Sequence, residues 1–300
     1  MDKASGRSLG DGTKIPAIGL GLYYTPPGAA TYDIVAAALK QGYRHLDTAD
    51  FYENEEDVGK AVKDSGIPRD EIHITSKVWP GEDGEWVTDG KKVVLAAVEA
   101  SVKRLGTHTD LYLIHTPFNP EQRINYYLGL EEAQKKGLTK AIGVSNFGVK
   151  HLEKLINSPL TSVVPAANEV EISPFLRKDD IVAFCTKYNI QIIAYSPLAR
   201  AMRFDNPVLA SIANKHGVSP AQVMVRWSMQ QGYVPLPKSV RAERIKMNAD
   251  VFQFELTPAD MSQLYTLDER LFTEWVEWGK LDPTVMEITA AEANARCPPA

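Results

Sequence analysis

The stretch HLDTADFY (His45–Tyr52) begins as a strand-like run, ends it on an aspartate, sets a tyrosine five residues later and passes into a helix start at Asn54. A carboxylate at the end of a buried strand is costly unless a charge faces it, so the fold must bring a cation to Asp47 from elsewhere in the chain. Outward from this stretch, strand-like and helix-like segments alternate. Upstream, TYDIVAAALKQG places Ile34, Ala38 and Leu39 on one face and stops at Gly42. Downstream, NEEDVGKAVKDSGIP opens at the N-cap candidate Asn54, carries Asp57 three residues on and stops at Gly66 and Pro68. The alternation continues through EIHITSK, KKVVLAAVEASVKRLG, DLYLIH, EQRINYYLGLEEAQKKG, KAIGVSN, KHLEKLINS, AANEVE, KDDIVAFCTKYN, QIIAYS, SPAQVMVRWSMQQG, YVPLP and RAERIKMNADVF. About eight strand-then-helix units argue for an α/β chain closed into a (β/α)8 TIM barrel rather than an open doubly wound sheet.

Ahead of the barrel, SLGDGTKIPAIGLG holds Asp11-Gly12 between two short extended runs, the signal of an N-terminal β-hairpin. Behind it, DERLFTEWVEWGKLDP is aromatic-rich and breaks the alternation. This C-terminal tail either folds over the barrel mouth or packs Trp275 and Trp278 into the core. A length of 300 residues fits one domain, residues 1–300. With 33 Lys and Arg against 38 Asp and Glu, the net charge of −5 gives no bulk field for nucleic acid or an anionic membrane. Cys185 and Cys297 supply neither a disulfide framework nor a metal-ligand spacing, and point to a reducing compartment. No basic head with an apolar run opens the chain and no stretch reaches bilayer-spanning length, so a soluble cytoplasmic protein is expected.

The predicted strands close on polar residues: Asp47, Lys77, His115, Ser145 with Asn146, Glu169, Tyr195 with Ser196, and Lys238 with Ser239. In a barrel the C-terminal strand ends meet on one face, where this fold places its active sites. Lys77 is the candidate counter-charge for Asp47. An ammonium near Tyr52 would favour the phenolate and lower its pKa from about 10, making it an acid near neutral pH. His115 could hold a carbonyl oxygen toward that hydroxyl. A tuned acid without a metal cluster or an activated nucleophile implies proton donation to a carbonyl, with hydride from a cofactor.

For that cofactor, GLGLYY (Gly19–Tyr24) matches half a dinucleotide fingerprint, but Tyr24 stands at the third glycine and no acidic partner follows, so a Rossmann site is discarded. The better candidate is PKSVRAERIK (Pro237–Lys246), where Lys238, Ser239, Arg241 and Arg244 gather at a helix N-terminus after the last strand, a common phosphate position in barrels. Cations there oppose the helix dipole, which disfavours a merely solvated basic turn.

With these residues assembled, the chain resembles the aldo-keto reductase superfamily from about Lys14 to Leu256. GYRHLDTADFYENEEDVG fits its first signature, and DLYLIHTP, IGVSNF, AYSPL and PKSV follow in the expected order. The resemblance implies a tetrad of Asp47, Tyr52, Lys77 and His115. It implies NADPH bound by Leu22, Tyr23, Asp47, Ser145, Asn146, Glu169, Tyr195, Ser196, Leu198, Ala221, Leu236, Lys238, Ser239, Val240, Arg241, Arg244 and Asn248. Of these, Ser145 and Asn146 would bind the nicotinamide carboxamide, and Tyr195 would stack on the ring. Ser196 and Leu198 would line the pyrophosphate path, and Lys238, Ser239 and Arg244 would hold the 2′-phosphate. Tyr23, Tyr52, Trp79, His115, Thr116, Phe118, Trp275 and Trp278 would line the pocket of a small carbonyl substrate, in a monomer. The family's glutamine is Glu169 here, its polar residue near the adenine is Met247, and two of its pocket tryptophans are Tyr23 and Thr116. HTPF, VEISPFL and LDERLFTEWVEW are more similar to the branch that reduces α-keto amides, conjugated polyketones and ketopantoyl lactone, which implies an activated dicarbonyl substrate. An aldose-type reductase and a non-catalytic member of the same fold are the competing expectations.

Overall fold

Each short apolar run becomes a strand, and a helix returns the chain to the start of the next. The computed structural model describes residues 6–274 and 282–296. The hairpin strands β1 (Gly6–Ser8) and β2 (Lys14–Pro16) lie apart from an eight-stranded parallel sheet. That sheet runs in chain order: β3 (Leu20–Gly21), β4 (His45–Asp47), β5 (His73–Val78), β6 (Thr109–Ile114), β7 (Thr139–Ser145), β8 (Ala167–Glu171), β9 (Gln191–Tyr195) and β10 (Val234–Leu236). Its edges meet. The Gly19 and Gly21 N–H groups donate to the carbonyls of Pro235 (3.0 Å) and Pro237 (3.4 Å), which closes the sheet into a (β/α)8 barrel.

The connecting helices are α1 (Ala29–Lys40), α2 (Glu55–Asp64), the short α3 (Glu85–Thr88), α4 (Gly90–Leu105), α5 (Arg123–Lys135), α6 (Val149–Ile156) and α7 (Asp179–Lys187). After β9 come two, α8 (Pro207–His216) and α9 (Pro220–Gln230), and after β10 follow α10 (Ala242–Ala249), α11 (Pro258–Tyr265) and α12 (Ala290–Arg296). Their apolar stripes cover the outer face of the sheet. Val94, Val98, Tyr126 and Leu130 pack with Tyr112 and Ile142 on one side, and Val35, Leu39, Val58 and Val62 with Leu46 and Ile74 on another.

Strand register decides which side chains face inward. Asp47 pairs with Thr75, Lys77 with Leu113, Leu113 with Gly143, Ser145 with Glu169, and Leu236 with Tyr195. Because side chains alternate along a strand, residues of this parity point into the barrel all the way round. The lower interior is apolar: Leu111, Leu113, Ala141, Ala167, Ile193 and Val234 pack with Leu9 and Ile15 of the hairpin. Gly10 N–H ties that plug to the Ala166 carbonyl at 3.1 Å. The hairpin therefore stops the N-terminal end, and the polar ends face the open one.

Several expectations shift in detail. The extended run after Asp11-Gly12 divides into β2 and the barrel's own β3. Gly19 and Gly21 serve that closure rather than a nucleotide turn, since a Cβ on Gly19 would lie 2.4 Å from His45 Nδ1 and 2.6 Å from Leu236 Cδ2. Asn54 stands at the N-cap of α2, but its side chain does not cap it. Instead Nδ2 donates to the carbonyls of Leu22 (3.3 Å) and Thr25 (3.2 Å), and Oδ1 accepts from Thr48, which joins the loops after β3 and β4. Cys185 is a core thiol, and Cys297 lies outside the described residues. Among the described residues, no helix is long and apolar enough to cross a membrane.

One helix contact leaves no room. A Cβ on Gly59 of α2 would sit 2.1 Å from the Leu105 carbonyl oxygen at the end of α4. Gly59→Ala is therefore expected to push the two helices apart and cost about 1–3 kcal/mol. A lower urea midpoint would register it, whereas an unchanged one would mean that the pair separates freely.

Candidate active site

At the top of the barrel interior three charged side chains meet. Lys77 Nζ donates to Asp47 Oδ1 at 2.6 Å and to the Thr48 carbonyl at 3.0 Å, and lies 3.3 Å from Glu169 Oε1. Lys77 is fully buried and both carboxylates are about 3% exposed. An ammonium carries three hydrogens, and here three acceptors surround it. Two carboxyls against one ammonium leave a surplus negative charge unless a proton is retained. Burial together with the neighbouring Asp47 holds the Glu169 carboxyl well above the usual range, and burial raises Asp47 as well.

Tyr52 rises beside this cluster on a single 3-10 turn, Asp50–Tyr52, which directly follows β4. Its ring centroid lies 5.3 Å from Lys77 Nζ, and its hydroxyl oxygen 3.5 Å from His115 Nε2. That last gap is loose for a hydrogen bond, and an incoming oxygen could contact both groups. The expected lowering of the Tyr52 pKa is corrected. Burial, and then the charges of Asp47 and Glu169, raise it well above that of a free phenol. The sequence places one cation near the phenol, but the folded chain engages that cation with two carboxyls and a carbonyl. Burial and then Lys77 lower the His115 pKa well below its ordinary value, so its imidazole is neutral near pH 7.

These groups lie on the floor of a cleft of about 880 Å³, a size that suits a small-molecule ligand. Tyr23, Tyr24, Phe51 and Trp79 wall one end. Trp79 stacks on Phe51 at 4.9 Å and meets His115 edge-on at 5.0 Å. Asp50 fixes that wall by accepting from the backbone N–H of Phe51 (2.6 Å) and of Trp79 (3.2 Å). Further along the floor, Tyr195 OH donates to Asn146 Oδ1 at 2.7 Å, Asn146 Nδ2 donates to the His115 carbonyl at 3.0 Å, and Ser145 Oγ to the Glu169 carbonyl at 2.9 Å. Asn146 (φ +62°) and Ser196 (φ +45°) leave their strands in the left-handed region, a conformation retained where the surroundings enforce it.

The far end is cationic. Ser196, Leu198, Ala221, Leu236, Lys238, Ser239, Val240, Arg241, Arg244 and Asn248 line it, and no carboxylate pairs with Arg241 or Arg244 among the described residues. Ser239 Oγ accepts from Arg241 N–H at 3.1 Å at the entry to α10. Met247 sits there half exposed, without a polar atom to offer a ligand.

Three expected lining residues do not reach the cleft. Leu22, Thr116 and Phe118 are wholly buried. Leu22 and Thr116 each follow an inward-facing position and so point outward, and Phe118 packs behind Trp79 with Ala290 and Ala293. Trp275 and Trp278 lie outside the described residues. Conversely, Arg200 and Glu274 were not anticipated. Glu274 accepts from Ser196 Oγ and from Arg200 Nε (3.0 Å) within the groove, and Thr273 beside it is anchored by donating its N–H (2.7 Å) and Oγ1 (2.6 Å) to buried Glu171. Loops far apart in sequence make this bridge, and no spacing rule reveals it.

Residues 17–269 match the Aldo/keto reductase family. The chain is 43% identical over 266 residues to the glyoxal reductase of Bacillus subtilis, covering 88% of this chain and 93% of that protein. It is 40% identical over 274 residues to the aldehyde reductase YPR1 of Saccharomyces cerevisiae, covering 81% and 85%. The crystal structure of a Bombyx mori aldo-keto reductase in complex with NADP superposes with a TM-score of 0.82 at 29% identity, covering 94% of this chain and 98% of that one.

Proposed function

The chain belongs to the aldo/keto reductase family, a family of oxidoreductases, and from that premise we propose that it reduces an activated dicarbonyl with NADPH. One observation carries the reading: Tyr52 OH and His115 Nε2 converge at 3.5 Å on the floor of a cleft whose other end is cationic. The residues present fit the cofactor. Lys238, Ser239, Arg241 and Arg244 would take its phosphates at the entry to α10, with the 2′-phosphate favouring NADPH over NADH. Ser145, Asn146 and Glu169 would hold the carboxamide, and Tyr195 would support the ring. When bound, the reduced nicotinamide supplies hydride to the carbonyl carbon.

This chain's own groups do the rest. His115 Nε2 donates a hydrogen bond to the substrate oxygen and orients it. The Tyr52 hydroxyl gives its proton to that oxygen as negative charge gathers there, and the phenolate left behind sits beside Lys77 and recovers a proton from water. Tyr52 is a weak acid in this setting, which suits an electron-poor carbonyl that accepts hydride readily and takes the proton late, once negative charge has built up on its oxygen. The name of the Bacillus subtilis relative points the same way, since glyoxal is itself a dicarbonyl.

A panel of simple aldehydes, sugars, α-keto esters and cyclic diketones, assayed with NADPH and with NADH, tests the proposal. The expected leader is a dicarbonyl with NADPH. Preference for sugars would replace this substrate class with an aldose-type one, and retention of NADPH without turnover would indicate a binding protein.

Glu274 presents a carboxylate to the groove proposed for the pyrophosphate. Glu274→Gln is expected to tighten NADPH binding roughly three- to five-fold, the scale of one partly exposed charge contact, in a tryptophan-fluorescence titration. Weaker binding would show instead that Glu274 holds the groove in shape.

A further inference from the structure

Asp47 Oδ2 and Glu169 Oε2 are both buried, and neither accepts a hydrogen bond from any N–H or O–H among the described residues. Their carboxyl groups nevertheless share a single ammonium, Lys77 Nζ lying 2.6 Å from Asp47 Oδ1 and 3.3 Å from Glu169 Oε1. Two ionised carboxylates so placed would leave two unsatisfied oxygens and an uncompensated charge inside the barrel. A proton held between them removes both problems. The titratable groups around Glu169 are Asp47 from β4, Lys77 from β5, Tyr52 from the turn after β4, His115 at the end of β6, Tyr195 at the end of β9 and, two residues on, Glu171 at the rim. Of these only Lys77 brings a positive charge near neutral pH, and Asp47 already holds it at 2.6 Å.

We propose that Glu169 shares one proton with Asp47 above Lys77 before the cofactor arrives and turns that proton to NADPH as it binds, so that loss of the proton weakens cofactor binding. The inference rests on the NADPH reading above and extends it to the protonation state of Glu169. A neutral carboxyl offers one donor and one acceptor, as an amide does, whereas a carboxylate offers acceptors only. Ionisation would also add a negative charge beneath the developing phenolate of Tyr52. Because the two carboxyls titrate as a unit, the apparent pKa belongs to the pair.

The test is NADPH affinity of the full chain by fluorescence titration from mildly acidic to alkaline pH, for wild type and for Glu169→Gln. Wild-type Kd is expected to rise by about ten-fold per pH unit once the shared proton leaves, the slope of a single linked proton. Glu169→Gln, whose amide cannot ionise, is expected to lack that limb. Ionisation of the 2′-phosphate affects both proteins alike and cancels in the comparison. In the infrared difference spectrum of the two ligand-free proteins near neutral pH, wild type should show a protonated carboxyl band that the variant lacks. A flat wild-type profile overturns the proposal whether or not the variant folds. Superposable profiles, or a wild-type spectrum showing Glu169 as carboxylate, overturn it as well. If wild type fails to bind NADPH at any pH, the cofactor reading itself fails.

Discussion

Lys77→Met is expected to give the least stable of the site variants, losing about 3–5 kcal/mol near neutral pH, because it leaves Asp47 and Glu169 buried without the cation that both contact. The Thr48 carbonyl loses a donor at the same time. Methionine fills the space, so the loss is electrostatic rather than a cavity effect. The sign of its pH dependence follows. Without the ammonium, both folded carboxyls have pKa values raised above their unfolded ones, so the folded state binds more protons and stability falls as pH rises through that window. The deficit should therefore be larger at pH 8 than at pH 5, as read from urea midpoints at both. A deficit independent of pH would mean that packing, not charge, accounts for it. Turnover should fall by about 10²-fold or more, since the phenolate of Tyr52 would lose the positive charge nearest to it.

Tyr52→Phe separates chemistry from folding. Among the described residues its hydroxyl has one loose neighbour, His115 at 3.5 Å, and the residue is only half-buried, so the unfolding midpoint should stay near that of wild type. Turnover of NADPH with a dicarbonyl should drop by about 10²–10⁴-fold, the range for loss of a positioned general acid, while NADPH affinity holds. Should turnover stay within a few-fold of wild type, Tyr52 is not the acid, and water or His115 must supply the proton.

Much of the scaffold was legible because the physical signals are local. Apolar runs ending at polar residues give strands, and the glycines closing α1, α2, α4 and α5 mark where each helix stops. The polar strand ends mark the floor of the cleft in the sequence itself, since a parallel barrel brings all of them to one rim. Failures occurred where a side chain's direction or partner mattered. Thr116 and Leu22 adjoin functional positions in sequence, yet alternation along the strand turns them away. The two-residue β3 is too short to carry a periodic pattern, and was absorbed into the hairpin. Tyr52 was expected to gain acidity from Lys77, because one cation near one phenol is visible in the sequence. That Glu169 and Asp47 jointly claim this cation depends on the register of three strands, and no local pattern encodes it. The Arg200–Glu274 bridge joins segments 74 residues apart and lies beyond any motif.

The central claim is that a carbonyl carbon accepts hydride directly from NADPH on this floor. Its most direct measurement uses NADPH deuterated at the transferable C4 position with a dicarbonyl substrate, followed by mass and NMR analysis of the alcohol formed. One deuterium is expected on the new carbinol carbon for each NADPH consumed, with almost no labelled alcohol formed by Tyr52→Phe over the same time. An alcohol without deuterium, or NADPH left intact in the presence of every dicarbonyl offered, would contradict it.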